Sequence, residues 1–342
     1  MGTTIGWGIL GTGVIARTFA AGIAGSKTGR VVAVGSRTTQ EAVQFGAPRP
    51  GIHCYEGYAG VLDDPEVDIV YIALPHALHA EWAVRAAEAG KHVLCEKPLA
   101  LNYAQAQAVV EVARRHGVFL MEAYMYRCHP QTAQVVELLR AQAIGELRLI
   151  EASFSFDGRA RAGRLFARAL GGGAILDVGG YCTSMVRLLA GAAQQQGALE
   201  PLSIQAAGHV GGRSGVDEYA AALLTFPDDI CAQLWTGITV ERDNALRIYG
   251  SEGTITVPEP WTPSIQVGTV RIVVRRSGAD EDDVIDVVSD RTLYTLEADV
   301  VAAHLAAREA PMMPWSDTLG NMLTLDRWRE AVGMSYDEDR QA

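Results

Sequence analysis

The sequence predicts an α/β protein in two parts: an N-terminal doubly wound parallel sheet, then an α+β part with a large, mostly antiparallel open sheet. Three observations predict it. From residue 5 to residue 122, short apolar runs alternate with helix-patterned segments. A glycine turn, Gly11-Thr12-Gly13, opens the first of those helices. After Ala123 the alternation gives way to β-rich runs divided by Pro-Asp, Gly-Ser and Ser-Gly turns. At 342 residues the chain exceeds what one core supports, and the boundary is drawn to give residues 1–122 and 123–342.

Residues 5–10 read as a short buried strand, and the glycine turn follows it directly. Only small residues there let backbone N–H groups approach a diphosphate, and the helix from residue 13 to about 24 turns its amino end to the anion. Val14 and Ile15 form its first turn, and Ala16 completes Gly-x-Gly-x-x-Ala with the small face that packs on the strand. Alone, this pattern also fits an ordinary strand-to-helix turn. Residues 30–35 are the second strand. Ser36-Arg37-Thr38 comes next, where an acidic residue would hold a bare ribose diol. An arginine between two hydroxyls suits a 2′-phosphate better, so NADP is expected in preference to NAD, the plainer reading being a solvated loop arginine.

Residues 54–62 read as a loop and short helix closed by Asp63-Asp64-Pro65. Residues 67–74 form a buried strand ending at Pro75-His76, where a ligand loop lies outside the carboxyl end of the sheet. A helix over 79–89 stops at Gly90, and the strand at 91–95 delivers Glu96-Lys97-Pro98. Asn102 caps a helix that reaches His116 and Gly117, and residues 118–122 close the series. In the second part, a helix over 131–141 precedes strands at 146–156, 204–209, 218–225, 230–239, 245–249, 253–257, 270–275 and 284–287. Helices at 176–190 and 297–308 are expected to cover one face of this sheet, and 317–332 is an apolar-periodic core helix.

Composition narrows the function classes. A net charge of -11 argues against nucleic acid or an anionic membrane as partner, and no apolar run approaches the roughly 20 residues that span a bilayer. The start carries no basic, cleavable leader, and Gly6 stands where a myristoylation signal on Gly2 needs Ser or Thr. Cys54, Cys95, Cys128, Cys182 and Cys231 are odd in number and lack Cys-x-x-Cys spacing, which reads as reduced thiols in a cytoplasmic protein. His53, His92, His116, His129 and His209 are scattered, so no metal site is expected.

Several segments then occur in one order: the glycine turn, Leu74-Pro75-His76-Ala77-Leu78-His79, and Gly90-Lys91-His92-Val93-Leu94-Cys95-Glu96-Lys97-Pro98. Glu122-Ala123-Tyr124-Met125-Tyr126-Arg127 and Gly171-Gly172-Gly173-Ala174-Ile175-Leu176-Asp177-Val178-Gly179-Gly180-Tyr181 complete the set. Together they resemble the Gfo/Idh/MocA oxidoreductases over essentially the whole chain, the Glu-Lys-Pro segment being the most specific. The resemblance implies a Rossmann domain, a second domain whose open sheet builds a homodimer or homotetramer, and hydride transfer between a nicotinamide and a sugar, polyol or related carbonyl compound.

It also implies roles. Lys97 polarises the substrate oxygen, and Leu74, Pro75, His76, His79 and Glu96 line the cofactor beside it, though helix capping and packing fit the two histidines equally. Many relatives carry Asp-x-x-x-His where this chain has Asp177 and Tyr181, a variant similar to the dihydrodiol and sugar dehydrogenase subgroup. Tyr181 is then the proton donor or acceptor, its phenol pKa lowered by Lys97, with Asp177 orienting. The plainer readings are a lysine that braces the ribose or Glu96, and a tyrosine that caps the sheet. Tyr126, Arg127 and Phe156, with Phe154 and Arg159, are candidate substrate contacts, though the aromatics equally fit a core. Arg159, Arg161, Arg164 and Arg168 form a basic cluster that suits either a solvated loop or an anion. Two rival functions stay open: a redox-neutral glycoside cleavage with tightly held NAD, and a cofactor-bound sensor without catalysis.

Overall fold

A computed structural model describes residues 4–161 and 163–340. Gly2, the side chain of Arg161 and the two chain ends lie outside the described residues. The first sheet has six parallel strands: β1 (Ile5–Leu10), β2 (Gly29–Ser36), β3 (His53–Glu56), β4 (Ile69–Ile72), β5 (His92–Glu96) and β6 (Leu120–Ala123). Their spatial order is β3-β2-β1-β4-β5-β6. Helices α1 (Val14–Ala24), α2 (Thr39–Gly46), α3 (Ala59–Asp63), α4 (His79–Glu88) and α5 (Tyr103–His116) make the crossovers. The strand order reverses between β1 and β4, and a doubly wound sheet opens its ligand crevice at that point.

Local chemistry accounts for these elements. The run Ile-Val-Tyr-Ile of β4 is buried throughout, as a central parallel strand covered on both faces requires. Asn102 caps α5 by accepting from the Gln105 N–H at 2.9 Å, and Gly117 ends it in the left-handed region at φ 68°. One stretch departs from expectation: residues 53–56 form edge strand β3, not a loop, and α2 precedes it where the sequence pattern marked no element. A four-residue, half-buried edge strand has no apolar run to announce it.

The second sheet has eight strands: β7 (Leu147–Ser155), β8 (Ser203–Val210), β9 (Asp217–Thr225), β10 (Cys231–Gly237), β11 (Leu246–Gly250), β12 (Gly253–Val257), β13 (Gly268–Arg276) and β14 (Asp283–Ser289). The order is β14-β13-β12-β11-β7-β10-β9-β8, and every neighbouring pair is antiparallel except β7 with β10. Helices α6 (Pro130–Arg140), α7 (Gly180–Ala193), α8 (Leu293–His304) and α9 (Trp315–Ala331) complete the chain. Helix α7 lies on β7 and β10, and α9 bridges α7 and α5.

Helix α8 corrects an expectation, because it packs on α1 of the first part and does not cover the second sheet. Gly22 allows the contact: a Cβ there would come within 2.6 Å of the Tyr294 Cβ, and Thr295 Oγ1 donates to the Gly22 carbonyl at 2.8 Å. Trp315 adds a second tie, its indole N–H reaching the Leu120 carbonyl at 2.9 Å. Among the described residues no helix is long and apolar enough to cross a membrane.

Candidate active site

The site begins at the glycine turn. Gly11 has φ 101°, and a Cβ there would sit 2.5 Å from the Ala73 carbonyl oxygen, so both conformation and crowding demand glycine. Gly13 differs. A Cβ on it would meet nothing within 4 Å, since it faces open space at the amino end of α1. No side chain caps that helix end, its first turn carries no acid, and Val14 stands in front of it 84% exposed. Bare N–H groups, a positive helix end and an uncovered apolar side chain fit the diphosphate of a dinucleotide. Ser36, at the end of β2, is buried and links to the turn through Thr12, the two hydroxyl oxygens lying 3.2 Å apart. Arg37 projects into solvent at 81% exposure, 3.7 Å from Glu41.

Across the crevice, β4 and β5 deliver the second group. His79 is fully buried, with Nδ1 2.7 Å from the Pro98 carbonyl and Nε2 2.8 Å from the Leu74 carbonyl. Burial draws its pKa down to about 4 against the pull of those two bonds. The neutral ring has a single N–H, so it donates to one of these carbonyls and packs its other nitrogen against the second, holding the turn after β4 beside the cis Lys97-Pro98 peptide with neither nitrogen turned to a ligand. His76 reaches the other way, Nδ1 bonding the Gly171 carbonyl at 2.8 Å while Nε2 receives the Arg164 guanidinium at 3.1 Å. Burial and then Arg164 hold it well below the ordinary histidine range, which makes it a neutral acceptor. Glu96 accepts from the Tyr71 hydroxyl, and burial raises its carboxyl.

Lys97 and Asp177 meet at the centre. The Lys97 ammonium donates to the Asp177 backbone carbonyl at 2.7 Å and lies 4.0 Å from its carboxylate. Burial lowers the Lys97 pKa, opposed by Asp177 and Glu96. Burial would raise Asp177, but Lys97 and then Arg164 overcome it and hold the carboxyl at about 2. Arg164 donates to that carboxylate at 2.8 Å, so one guanidinium spans Asp177 and His76.

Asp177 belongs to a π-helical turn, Ile175–Gly179, that leads into α7 and brings Tyr181 to the same place. Asp217 anchors that turn by accepting from the Ile175 N–H at 2.6 Å. The Lys97 ammonium lies 4.9 Å from the centroid of the Tyr181 ring, over its face. The phenol donates to Met125 Sδ at 3.5 Å. Burial first, then Tyr294 and Glu96, push its pKa well above the ordinary phenol range, opposite to the expected lowering by Lys97. Tyr124, Tyr126, Phe154 and Trp261 enclose its ring, with centroids 5.0–6.1 Å away.

Known proteins share this architecture. The family description "Oxidoreductase family, NAD-binding Rossmann fold" matches residues 5–124, and the GFO/IDH/MocA C-terminal domain matches 132–256. The trans-1,2-dihydrobenzene-1,2-diol dehydrogenase of Danio rerio is 32% identical over 98% of this chain and 99% of its own. This chain belongs to the Gfo/Idh/MocA oxidoreductase family. Its relatives include the dTDP-3,4-didehydro-2,6-dideoxy-alpha-D-glucose 3-reductase of Actinomadura kijaniata, 36% identical over 73% of each chain. A 3-ketoreductase from the same organism, solved with NADP and TDP-benzene, superposes with a TM-score of 0.85 at 30% identity, covering 96% of this chain and 98% of that one. An aldose-aldose oxidoreductase from Caulobacter crescentus, complexed with glycerol, gives 0.85 at 26% identity over 97% and 98%.

Within this Gfo/Idh/MocA chain, two groups of the expected residues come together. Lys97, Asp177, Tyr181 and His76 converge, and Gly11, Thr12, Gly13, Val14, Ile15 and Ser36 gather at the turn end of the crevice. Three substrate candidates do not face the site. Arg127 is buried and spends its donors on Asp317, Ser184 and the Met312 carbonyl, so it is an internal strut. Tyr126 is fully buried behind Tyr181, its hydroxyl reaching the Tyr181 carbonyl at 3.3 Å. Phe156 packs in a small separate cluster with Leu165, Ala174 and Ile238, under the loop that carries Arg164. Phe154, two residues earlier, is the one that joins the Tyr181 rings. Arg159 is held outside by Asp157.

Sequence reasoning missed Trp261 and the special place of Arg164. Trp261 lies 80 positions beyond Tyr181, and only the β11–β12 hairpin and the loop after it return it to the site. Nothing in the sequence sets Arg164 apart from Arg159, Arg161 and Arg168.

Proposed function

We propose that this chain transfers a hydride between NADP, or NAD, and the carbonyl or alcohol carbon of a sugar, polyol or related cyclic diol, with Lys97 and Tyr181 handling the proton. The observation that carries the reading is the convergence of a desolvated ammonium, a protonated phenol and an ionised carboxylate at the carboxyl end of β5, across the crevice from an uncapped glycine turn. The names of the relatives, a diol dehydrogenase and a sugar ketoreductase, agree in acting on carbon-bound oxygen.

The nicotinamide, when bound, supplies or accepts the hydride. The chain's own residues do the rest. Lys97, with only part of its donor capacity spent on the Asp177 carbonyl, offers N–H groups to the substrate oxygen and stabilises negative charge as it develops there. Tyr181 is protonated across the working pH range, as a proton donor for reduction must be. Its present acceptor is a thioether, a weak one that a substrate oxygen displaces. Asp177 stays ionised and holds the Lys97 and Arg164 side chains beside it. Phe154 and the Tyr181 ring supply an apolar wall for one face of a ring-shaped substrate.

The test is a screen of ketoses, aldoses, polyols and cyclic diols with both cofactors, followed by reduced-nicotinamide absorbance. Turnover with net change in that absorbance is the expected result. Product formation without net change supports the redox-neutral alternative, and tight binding with no product supports a sensor. The second sheet carries exposed Leu223, Val284 and Val288, which supports self-association through it; light scattering reads the mass directly.

A further inference from the structure

We propose that Glu41 sets how far this chain discriminates between the two cofactors, its carboxylate accepting the ribose 2′-hydroxyl of NAD and opposing the 2′-phosphate of NADP. This rests on the dinucleotide reading above and adds a residue to it. Judged by the strand end alone, Ser36-Arg37-Thr38, the pocket has no acid and one cation. Folding changes that. Thr38 caps α2 by accepting from the Glu41 N–H at 3.3 Å, which sets Glu41 in the first helical turn with its side chain folded back over the end of β2. There its carboxylate receives the Ser36 hydroxyl at 2.8 Å and lies 3.7 Å from the Arg37 guanidinium.

Ser36 is also the link to the glycine turn, 3.2 Å from Thr12 Oγ1. The buried serine thus links the half-buried Glu41 carboxylate and Thr12 hydroxyl into one hydrogen-bonded row along the carboxyl ends of β1 and β2, where a parallel sheet of this kind holds the adenosine ribose. An acid at the strand end ordinarily accepts from the 2′- and 3′-hydroxyls. Glu41 brings the same carboxylate to the same place from the following helix.

The consequence is a pocket with opposed charges. Arg37 attracts a 2′-phosphate, and its high exposure leaves it free to swing toward one. Glu41 repels the same phosphate and holds part of the guanidinium's charge. Two unit charges about 4 Å apart in a solvated setting interact by a factor of about five to ten in binding. Glu41 therefore confines the preference for NADP to a small factor, and NAD remains a usable cofactor.

Calorimetric titration of NADPH and NADH into the wild type, Glu41→Gln and Glu41→Arg reads this without catalysis. Glu41→Gln should tighten NADPH about fivefold to tenfold and weaken NADH by a smaller factor, and Glu41→Arg should move both further in the same directions. Retained NADH binding in Glu41→Gln serves as the check that its pocket is folded. An unchanged ratio of the two affinities in both variants would overturn the proposal while leaving the dinucleotide reading intact. Failure of the wild type to bind either dinucleotide would overturn that reading, and this proposal with it.

Discussion

Lys97 and Arg164, both beside Asp177, make separable contributions. Lys97 is the larger influence on its carboxyl and Arg164 the second, and together they hold it at about 2. Removing Arg164 raises the Asp177 pKa, so the acid limb of the kcat/KM profile of Arg164→Ala should move to higher pH. A limb that does not move would mean that Asp177 ionisation does not govern the rate. Arg37→Ala should weaken NADPH and leave NADH nearly unaffected, and equal loss of both would contradict the role given to Arg37. At this scale the sequence was legible where a motif fixes both a residue and its surroundings, as with Lys97 and Asp177. It was not legible where burial decides. Arg127 looked like a hydroxyl-binding cation, but Asp317 and Ser184, far off in sequence, enclose it.

Among elements, the glycine turn separates two uses of the same residue. Gly11→Ala forces a Cβ against the Ala73 carbonyl at a left-handed φ, and should cost about 1–3 kcal/mol of stability. Gly13→Ala adds a methyl group to open space, so it should lose no more than the roughly 1 kcal/mol by which alanine is the poorer N-cap and yet lose dinucleotide affinity, because the methyl enters the space the diphosphate needs. Thermal melts and cofactor titrations on the pair check both halves. The long buried strands and the capped helices were readable from periodicity and from Asn102 and Gly117. Edge strand β3 was not, since its half-buried residues give no pattern. Neither was the docking of α8 on α1, because a helix face does not name its partner and Gly22 shows its purpose only once Tyr294 lies against it.

The molecule as a whole buries several acids, and its stability should record them. Glu122, which accepts from the Leu99 N–H at 2.9 Å, has its carboxyl raised by burial to about 7, and Asp217 is raised likewise to about 7. A raised carboxyl keeps its proton in the folded chain where the unfolded chain has lost it. The associated stability is fully present below the unfolded value and is lost as pH climbs to about 7. Buried His76, His79 and His129, all lowered, act in the opposite direction, so the bare profile mixes the two. Glu122→Gln isolates one group: relative to the variant, the wild type should lose up to about 1.4 kcal/mol per pH unit between pH 5 and 7. Denaturant midpoints across that range measure it, and a constant difference would contradict the burial argument.

The central claim is that Lys97 and Tyr181 handle the proton of a nicotinamide-dependent redox reaction. Single-turnover oxidation of bound NADPH, with a carbonyl substrate from the screen, tests it most directly in wild type, Lys97→Ala and Tyr181→Phe. Each variant should still bind NADPH while its rate falls by about 10² or more. Rates near wild type in both variants would contradict it.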